Sequence, residues 1–218
     1  MQTLSVPANV SPKLPGVREL AKRERNRRIM LAAREHFSKY GYDEATLRGI
    51  ADSAGLGVGT LFNYVSHKRD LIFLIFNEEI DTLTANALAT TRPWKGFREN
   101  VLAITDPHYT LFAATPVLSR ILLSETVLET PGLHLDRYLQ VRIRLLDGME
   151  RLVTAAQERG ELRSEINPSA IARNTFLSFT AALRWWITQP DPDWRRGQLD
   201  YAEMLDMQLG GLKRGITA

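Results

Sequence analysis

Apolar side chains recur at helical spacing along most of this chain. Ile29, Ala33, Phe37 and Tyr40 line one face of a segment from about 17 to 40, with Arg23, Arg27 and Arg34 on other faces and Gly41 at its end. Leu47, Ile50, Ala51 and Ala54 then define a short helix over 47–53. Gly55 follows, the residue type that most readily takes the left-handed conformation needed to end a helix sharply. Leu61, Tyr64 and Val65 mark the inward face of a second short helix over 58–64. Ala51 matters by being small, because two helices joined by so short a turn cross closely. Ser66 reads as the N-cap of a fourth helix that absorbs the β-prone run Leu71–Phe76 and continues to about Thr90.

Prolines and glycines punctuate the rest. Pro93 suits the first turn of a helix to about Ile104, and Asp106-Pro107 and Thr115-Pro116 read as starts of further segments. Thr130-Pro131-Gly132 is a stop, followed by a long helix from Leu133 to Arg159 that Gly160 caps; Gly148 within it marks a bend or a close approach. Asn167-Pro168 opens a helix to about Thr188. The turn 189–193 leads, through Asp193 as cap, into a last helix to about Gly210. Residues 1–16 read as a disordered arm. The fold class is therefore all-α.

Within this pattern, 24–71 carries an ordered motif: Phe37, Gly41-Tyr42, Ala45-Thr46-Leu47, Ile50-Ala51, Ala54-Gly55, Gly59-Thr60-Leu61-Phe62, Lys68 and Leu71. It resembles the DNA-binding domain of TetR-type transcriptional regulators, a helix-turn-helix whose second helix enters the major groove. Two positions depart from the usual pattern: Gly57 stands where a polar N-cap is common, and Phe62 where Tyr is frequent. The resemblance implies an N-terminal three-helix DNA-binding domain at 17–66 and a C-terminal helical ligand-binding and dimerisation domain at 67–218. Val58, Gly59, Thr60, Asn63 and Tyr64 then face the groove, with Asn63 suited to adenine and Val58 to a thymine methyl. Thr46, Arg48 and Lys68 match positions that bind the phosphate backbone. Tyr64 has a rival role in the domain core, and Arg23, Arg25, Arg27 and Arg28 serve either phosphates or solvation of the first helix.

The same resemblance implies a homodimer presenting two recognition helices to a near-palindromic double-stranded operator. It places the interface on the last two helices, where Phe179, Leu183, Trp186, Leu205 and Leu209 are candidates, against the alternative that they fill the chain's own core. It also implies an effector cavity between about 95 and 180. Phe97, Phe112, Met149, Phe176 and Trp185, with Leu122 and Leu145, form the apolar set, and His108, Tyr109 and Arg144 the polar anchors. This points to an apolar or aromatic small-molecule effector.

Charge supports the division. Residues 1–70 hold 12 Lys/Arg against 7 Asp/Glu, a net of +5, whereas 71–218 carry a net of −2. The chain has no cysteine, which excludes disulfides and thiolate sites and fits a cytoplasmic protein. Residues 1–16 hold three prolines and no apolar core segment, so no signal peptide is expected, and no apolar run is long enough for a membrane span. His36, His67, His108 and His134 lack metal-ligand spacing, and no phosphate loop or nucleophile motif occurs, so neither metal, cofactor nor catalytic residue is expected. Two rivals stand beside a ligand-responsive regulator: a DNA-binding dimer without an effector pocket, and an all-helical enzyme.

Overall fold

A computed structural model describes residues 16–129 and 131–212. The expectation for the N-terminal arm falls almost entirely outside them. Among the described residues the order is α1 (Val17–Glu44), α2 (Leu47–Ser53), α3 (Val58–Leu61), α4 (Lys68–Thr90), α5 (Phe97–Ala113), α6 (Pro116–Leu128), α7 (Leu135–Glu158), α8 (Pro168–Ile187) and α9 (Trp194–Leu212). Helices α1–α3 pack into a small head. Helix α4 leaves the head and becomes the central member of the body, where it lies against α5, α6 and α7, while α8 packs on α7 and α9.

Most expected boundaries fall within a few residues of the observed ones, and the departures have physical causes. Gly41 takes φ 78° but does not end α1; the chain resumes one further helical turn to Glu44. The cap of α4 is His67 rather than Ser66: its imidazole accepts the Asp70 N–H at 3.1 Å. Pro93 opens no helix. Residues 92–96 are instead wound around the Asn100 side chain, which accepts the Arg92 N–H and donates to the carbonyls of Arg92, Lys95 and Gly96. Helix α5 begins at Phe97 because Glu161, just beyond α7, accepts its N–H at 2.7 Å. Nor does Pro107 start a segment. It lies inside α5 on a half-exposed face, where the helix carbonyl it leaves unpaired borders an open groove.

Other local signals act as expected. Asn167 accepts the N–H groups of Ser169 and Ala170 at the start of α8. Gly160 ends the α7 segment at φ 73°. At Gly148 a Cβ would meet the Leu88 side chain of α4, so the glycine leaves that leucine its place between α4 and α7. One apolar core runs through both regions, from Ile29, Phe37, Ile50 and Leu61 in the head, through Leu71, Ile72 and Phe76 of α4, to Tyr109, Phe179 and Tyr201 in the body. Buried rings there meet edge to face, Tyr109 against Trp186 at 5.1 Å and Phe179 against Tyr201 at 5.4 Å. No helix among the described residues is long and apolar enough to cross a membrane.

Candidate nucleic-acid interface and effector cavity

The head is held by short-range bonds that follow from its turn residues. Thr46 caps α2 by accepting the Gly49 N–H at 3.1 Å. Gly55, at φ 64°, turns the chain between α2 and α3. The Arg28 guanidinium reaches across from α1 to the carbonyls of Ala54 and Gly55, neutralising the end of α2. Ile50, Ala51, Leu61 and Val65 are fully buried beneath this turn, and Tyr42 packs on Phe37 at 5.3 Å. Burial pushes the Tyr42 hydroxyl up to about 12.

What remains outside is the surface expected to face DNA. Helix α3 is one turn long, followed by turn residues to Tyr64. Gly59, Thr60 and Asn63 are exposed, and Val58 and Tyr64 are partly so. Nothing lies within 4 Å of a Cβ built on Gly59, so this surface stands open to a duplex. Thr46 and Arg48 are exposed beside it. The Tyr64 hydroxyl accepts from Arg25 at 3.4 Å, so one basic side chain of α1 borders the reading surface. Two neighbouring arginines of α1 are engaged within the helix, Arg23 with Glu19 and Arg27 with Glu24.

Lys68 is partly buried and held within the head. Its ammonium donates to the carbonyls of Tyr42 and Asp43 at 2.7 and 2.9 Å and lies 4.7 Å from the Tyr42 ring centre. It closes the C-terminal end of α1, a role internal to the head.

The body holds a partly open cavity of about 50 Å³ among α4–α8. Ile80, Phe112, Leu123, Val141, Leu145, Phe176, Phe179 and Leu183 form its apolar wall, and His108, Tyr138, Arg142, Thr180 and Arg184 its polar positions. Burial holds the His108 imidazole down at about 4, so it is neutral near pH 7, and its Nδ1 is 3.0 Å from the Ile104 carbonyl. Both arginines belong to one edge. Arg142 pairs with Glu129, and Arg184 donates to the Leu123 carbonyl and the Thr126 hydroxyl, both at 3.2 Å. Burial raises the Tyr138 hydroxyl between them.

The cavity gathers His108, Phe112 and Phe176 from the expected lining set, and Leu145 with them. Phe97, Tyr109 and Met149 are buried elsewhere in the core, as is Leu122. Arg144 points outward to an ion pair with Asp81, and Trp185 is 72% exposed on the outer face of α8. The interface expectation is corrected in the same way. Phe179, Leu183, Trp186, Leu205 and Leu209 are all buried by the chain's own helices, out of a partner's reach. The apolar residues left outside are Leu177, Ala181 and Trp185, at four-residue spacing on α8, with Leu199, Met204 and Met207 on α9. Both helices are apolar over more than one face, so residue type did not say which face turns inward. Tyr138, Arg142 and Arg184 were also missed; their signal was helical spacing with Val141 and Leu145, readable only once the facing helix is known.

No group of His, Asp and Glu side chains among the described residues is arranged to hold a metal ion. The model for bacterial regulatory proteins of the tetR family matches residues 29–75, the whole of the head's helix-turn-helix and the start of α4. An HTH-type transcriptional repressor of Mycobacterium tuberculosis is 31% identical over 93 residues, covering 43% of this chain and 49% of the relative. The chain thus spans about half the length of that relative. The fatty acid metabolism regulator protein of Bacillus subtilis is 21% identical over 76% of this chain and 85% of its own length. Among solved structures, the TetR-family transcriptional repressor FadR of Thermus thermophilus, crystallised with lauroyl-CoA, superposes with a TM-score of 0.67 at 21% identity. That match covers 88% of this chain and 98% of the other, a likeness of fold. These relatives are transcriptional regulators and not enzymes. Residues 29–75 thus carry the helix-turn-helix of the tetR family of bacterial regulatory proteins, and the fold of the described residues is similar to that of solved TetR-family repressors.

Proposed function

We propose that this chain is a cytoplasmic transcriptional repressor that binds a near-palindromic operator as a homodimer and is released by a small amphiphilic effector. The observation that carries the reading is the pairing of an open surface, Val58 to Tyr64, with a largely apolar, partly open cavity in the same chain. Thr60, Asn63 and Tyr64 read base edges, while Thr46 and Arg48 fix the head on phosphates. One head contacts few bases, so a second copy supplies the selectivity, and the exposed Leu177, Ala181, Trp185 stripe with Met204 and Met207 is the surface it would cover. The effector's apolar part lies against Phe112, Phe176 and Leu145. Its polar or anionic end meets Arg142, Arg184 and Tyr138, a combination that suits a fatty-acyl compound like the one held by the Thermus structure.

The competing reading, a dimer without effector response, draws on the cavity's small size. A drug-sized ligand needs about 300–1,000 Å³, so any such occupant must push α6, α7 and α8 apart. Selection of sites from random DNA with the full chain, followed by fluorescence anisotropy with lauroyl-CoA and a panel of apolar acids, decides between them. Enrichment of a two-fold site whose affinity falls on ligand addition supports release. Enrichment without any ligand effect supports the dimer alone, and no enriched sequence overturns operator recognition.

A further inference from the structure

We propose that the turn 131–134, between α6 and α7, is a latch that fixes the angle of the reading head on the body, with Asp70, Gly132 and His134 as its positioning residues. The proposal rests on the DNA-binding reading of the head, and its test separates the two.

Asp70 stands in the first turn of α4 and is fully buried. Its carboxylate accepts three backbone N–H groups: Ser66 at 2.9 Å from the end of the head, and Leu133 and His134 at 3.0 and 2.9 Å from the turn. Such a carboxylate is stable only while its donors stay in place, because losing them strands a buried charge. The two histidines fasten the turn on either side. His67 accepts the Asp70 N–H through Nδ1, which leaves its proton on Nε2 to donate to the Pro131 carbonyl at 2.8 Å. His134 Nε2 lies 2.8 Å from the Tyr64 carbonyl; a carbonyl has no proton to give, so the imidazole donates. The His134 carbonyl in turn accepts from Asn77 at 2.8 Å. The latch therefore reaches the backbone of Tyr64, a residue of the reading surface itself.

Gly132 makes the fit possible. A Cβ there would lie 2.6 Å from Asp70 Oδ1 and 2.9 Å from its Cγ, and that carboxylate cannot give way without losing its donors. A second link runs alongside, Arg69 of α4 to Glu125 of α6 at 3.4 Å. The helices joined by the turn also wall the cavity, Leu123 from α6 and Tyr138, Val141 and Leu145 from α7. The segment that must yield when the cavity fills is thus the one that grips the head.

The absence of native cysteine permits a direct test in the full chain. Asp52→Cys in the head and Glu158→Cys at the far end of α7, both exposed, carry a spin-label pair. Dilution into unlabelled chain restricts the reading to intrachain distances. The latch predicts a narrow distribution in the parent, and one shifted or broadened by about 5 Å in Gly132→Ala and His134→Leu, the scale of one helical turn. His134→Gln, which keeps a donor towards the Tyr64 carbonyl, should restore the parent distribution. Affinity for the selected operator should fall by about tenfold in the first two variants and recover in the third. Should Gly132→Ala not fold, the two His134 variants decide alone. Unchanged distances in folded His134→Leu, or failure of His134→Gln to restore them, overturn the latch. Normal distance shifts in a chain that selects no DNA would leave the latch standing and remove the DNA-binding reading.

Discussion

The head and the body pack helices under different tolerances. In the head, a one-turn recognition helix has no length of its own to make it stable, so every supporting contact is short and directional: the Thr46 cap, the Gly55 turn, and the Arg28 and Lys68 clamps on helix ends. Its central side chains, Ile29, Phe37, Ile50 and Leu61, have no exposed surface at all. The body is made of long helices that hold their shape by burial, and it tolerates imperfection. It keeps a cavity, and Thr84 Oγ1, Asp106 Oδ1, the Tyr109 hydroxyl and Glu125 Oε2 are buried without hydrogen-bond partners, against Asn26 Oδ1 in the head. Burial raises Asp106 to about 6. Polar groups left buried and unpaired each cost about 1–3 kcal/mol. A rigid reader joined to a body that stores unmet polar groups suits a molecule whose body rearranges and whose head moves as a unit.

The largest expected break in that contrast is Phe37→Ala, which removes the ring at the centre of the head. Loss of a buried phenylalanine costs about 3–5 kcal/mol. The head should melt and DNA binding vanish, while hydrogen exchange in α7 and α8 stays protected; equal loss of protection in both regions would show that they unfold together. A smaller effect is expected from Asn63→Ala, which touches no core side chain. Losing a bidentate base contact costs about 1–3 kcal/mol of discrimination, so operator affinity should fall by about tenfold with helicity intact. Gel shift against selected and scrambled DNA measures it, and equal affinity in both variants would remove Asn63 from base reading.

The contrast also governs how much could be read from sequence. The head was legible because its contacts are local: Gly55, Thr46 and the Leu61–Val65 face act within a few residues of one another. Even there the contacts of Lys68 were hidden, since the motif names its position and not the carbonyls of Tyr42 and Asp43 to which it donates. In the body, helix starts at Pro116, Pro168 and Trp194 were legible from capping residues, yet their facing was not. Trp185 and Trp186 are adjacent and identical in type, and only packing against Tyr109 decides that Trp186 turns inward and Trp185 out. Asp70 was invisible for the same reason: its partners Leu133 and His134 lie more than sixty residues away.

Gly55→Ala tests the turn itself. It forces a side chain into φ 64° and drives a methyl group into the Arg28 guanidinium. Left-handed backbone costs a non-glycine residue about 1–2 kcal/mol, and the lost Arg28 bonds add to this. The midpoint of head unfolding should fall while that of the body stays put. Gly59→Ala, with nothing near its Cβ, should not lower it.

The smallest effect probes the body alone. His108 is buried and neutral, with its folded pKa lowered by desolvation to about 4, below the usual value of 6.5. The unfolded chain therefore binds one more proton than the folded chain between those values, so this residue makes stability fall as pH drops from about 6.5 to about 4 and contributes no slope above that window. Asp106 acts in the opposite sense. Its folded pKa is raised from 3.8 to about 6, so the folded chain holds the extra proton there and gains stability as pH falls through that range. Over most of the window the two nearly cancel, and the parent should show a shallow acid limb. Replacing His108 with Phe removes one side of the balance. The variant's slope should differ from the parent's by up to about 1.4 kcal/mol per pH unit, the value for one proton, in the direction of greater stability at pH 5. Urea titrations at pH 5 and pH 7.5 measure it as a change in slope, so that any packing cost of the substitution drops out. Identical slopes in the two chains would place His108 in contact with water.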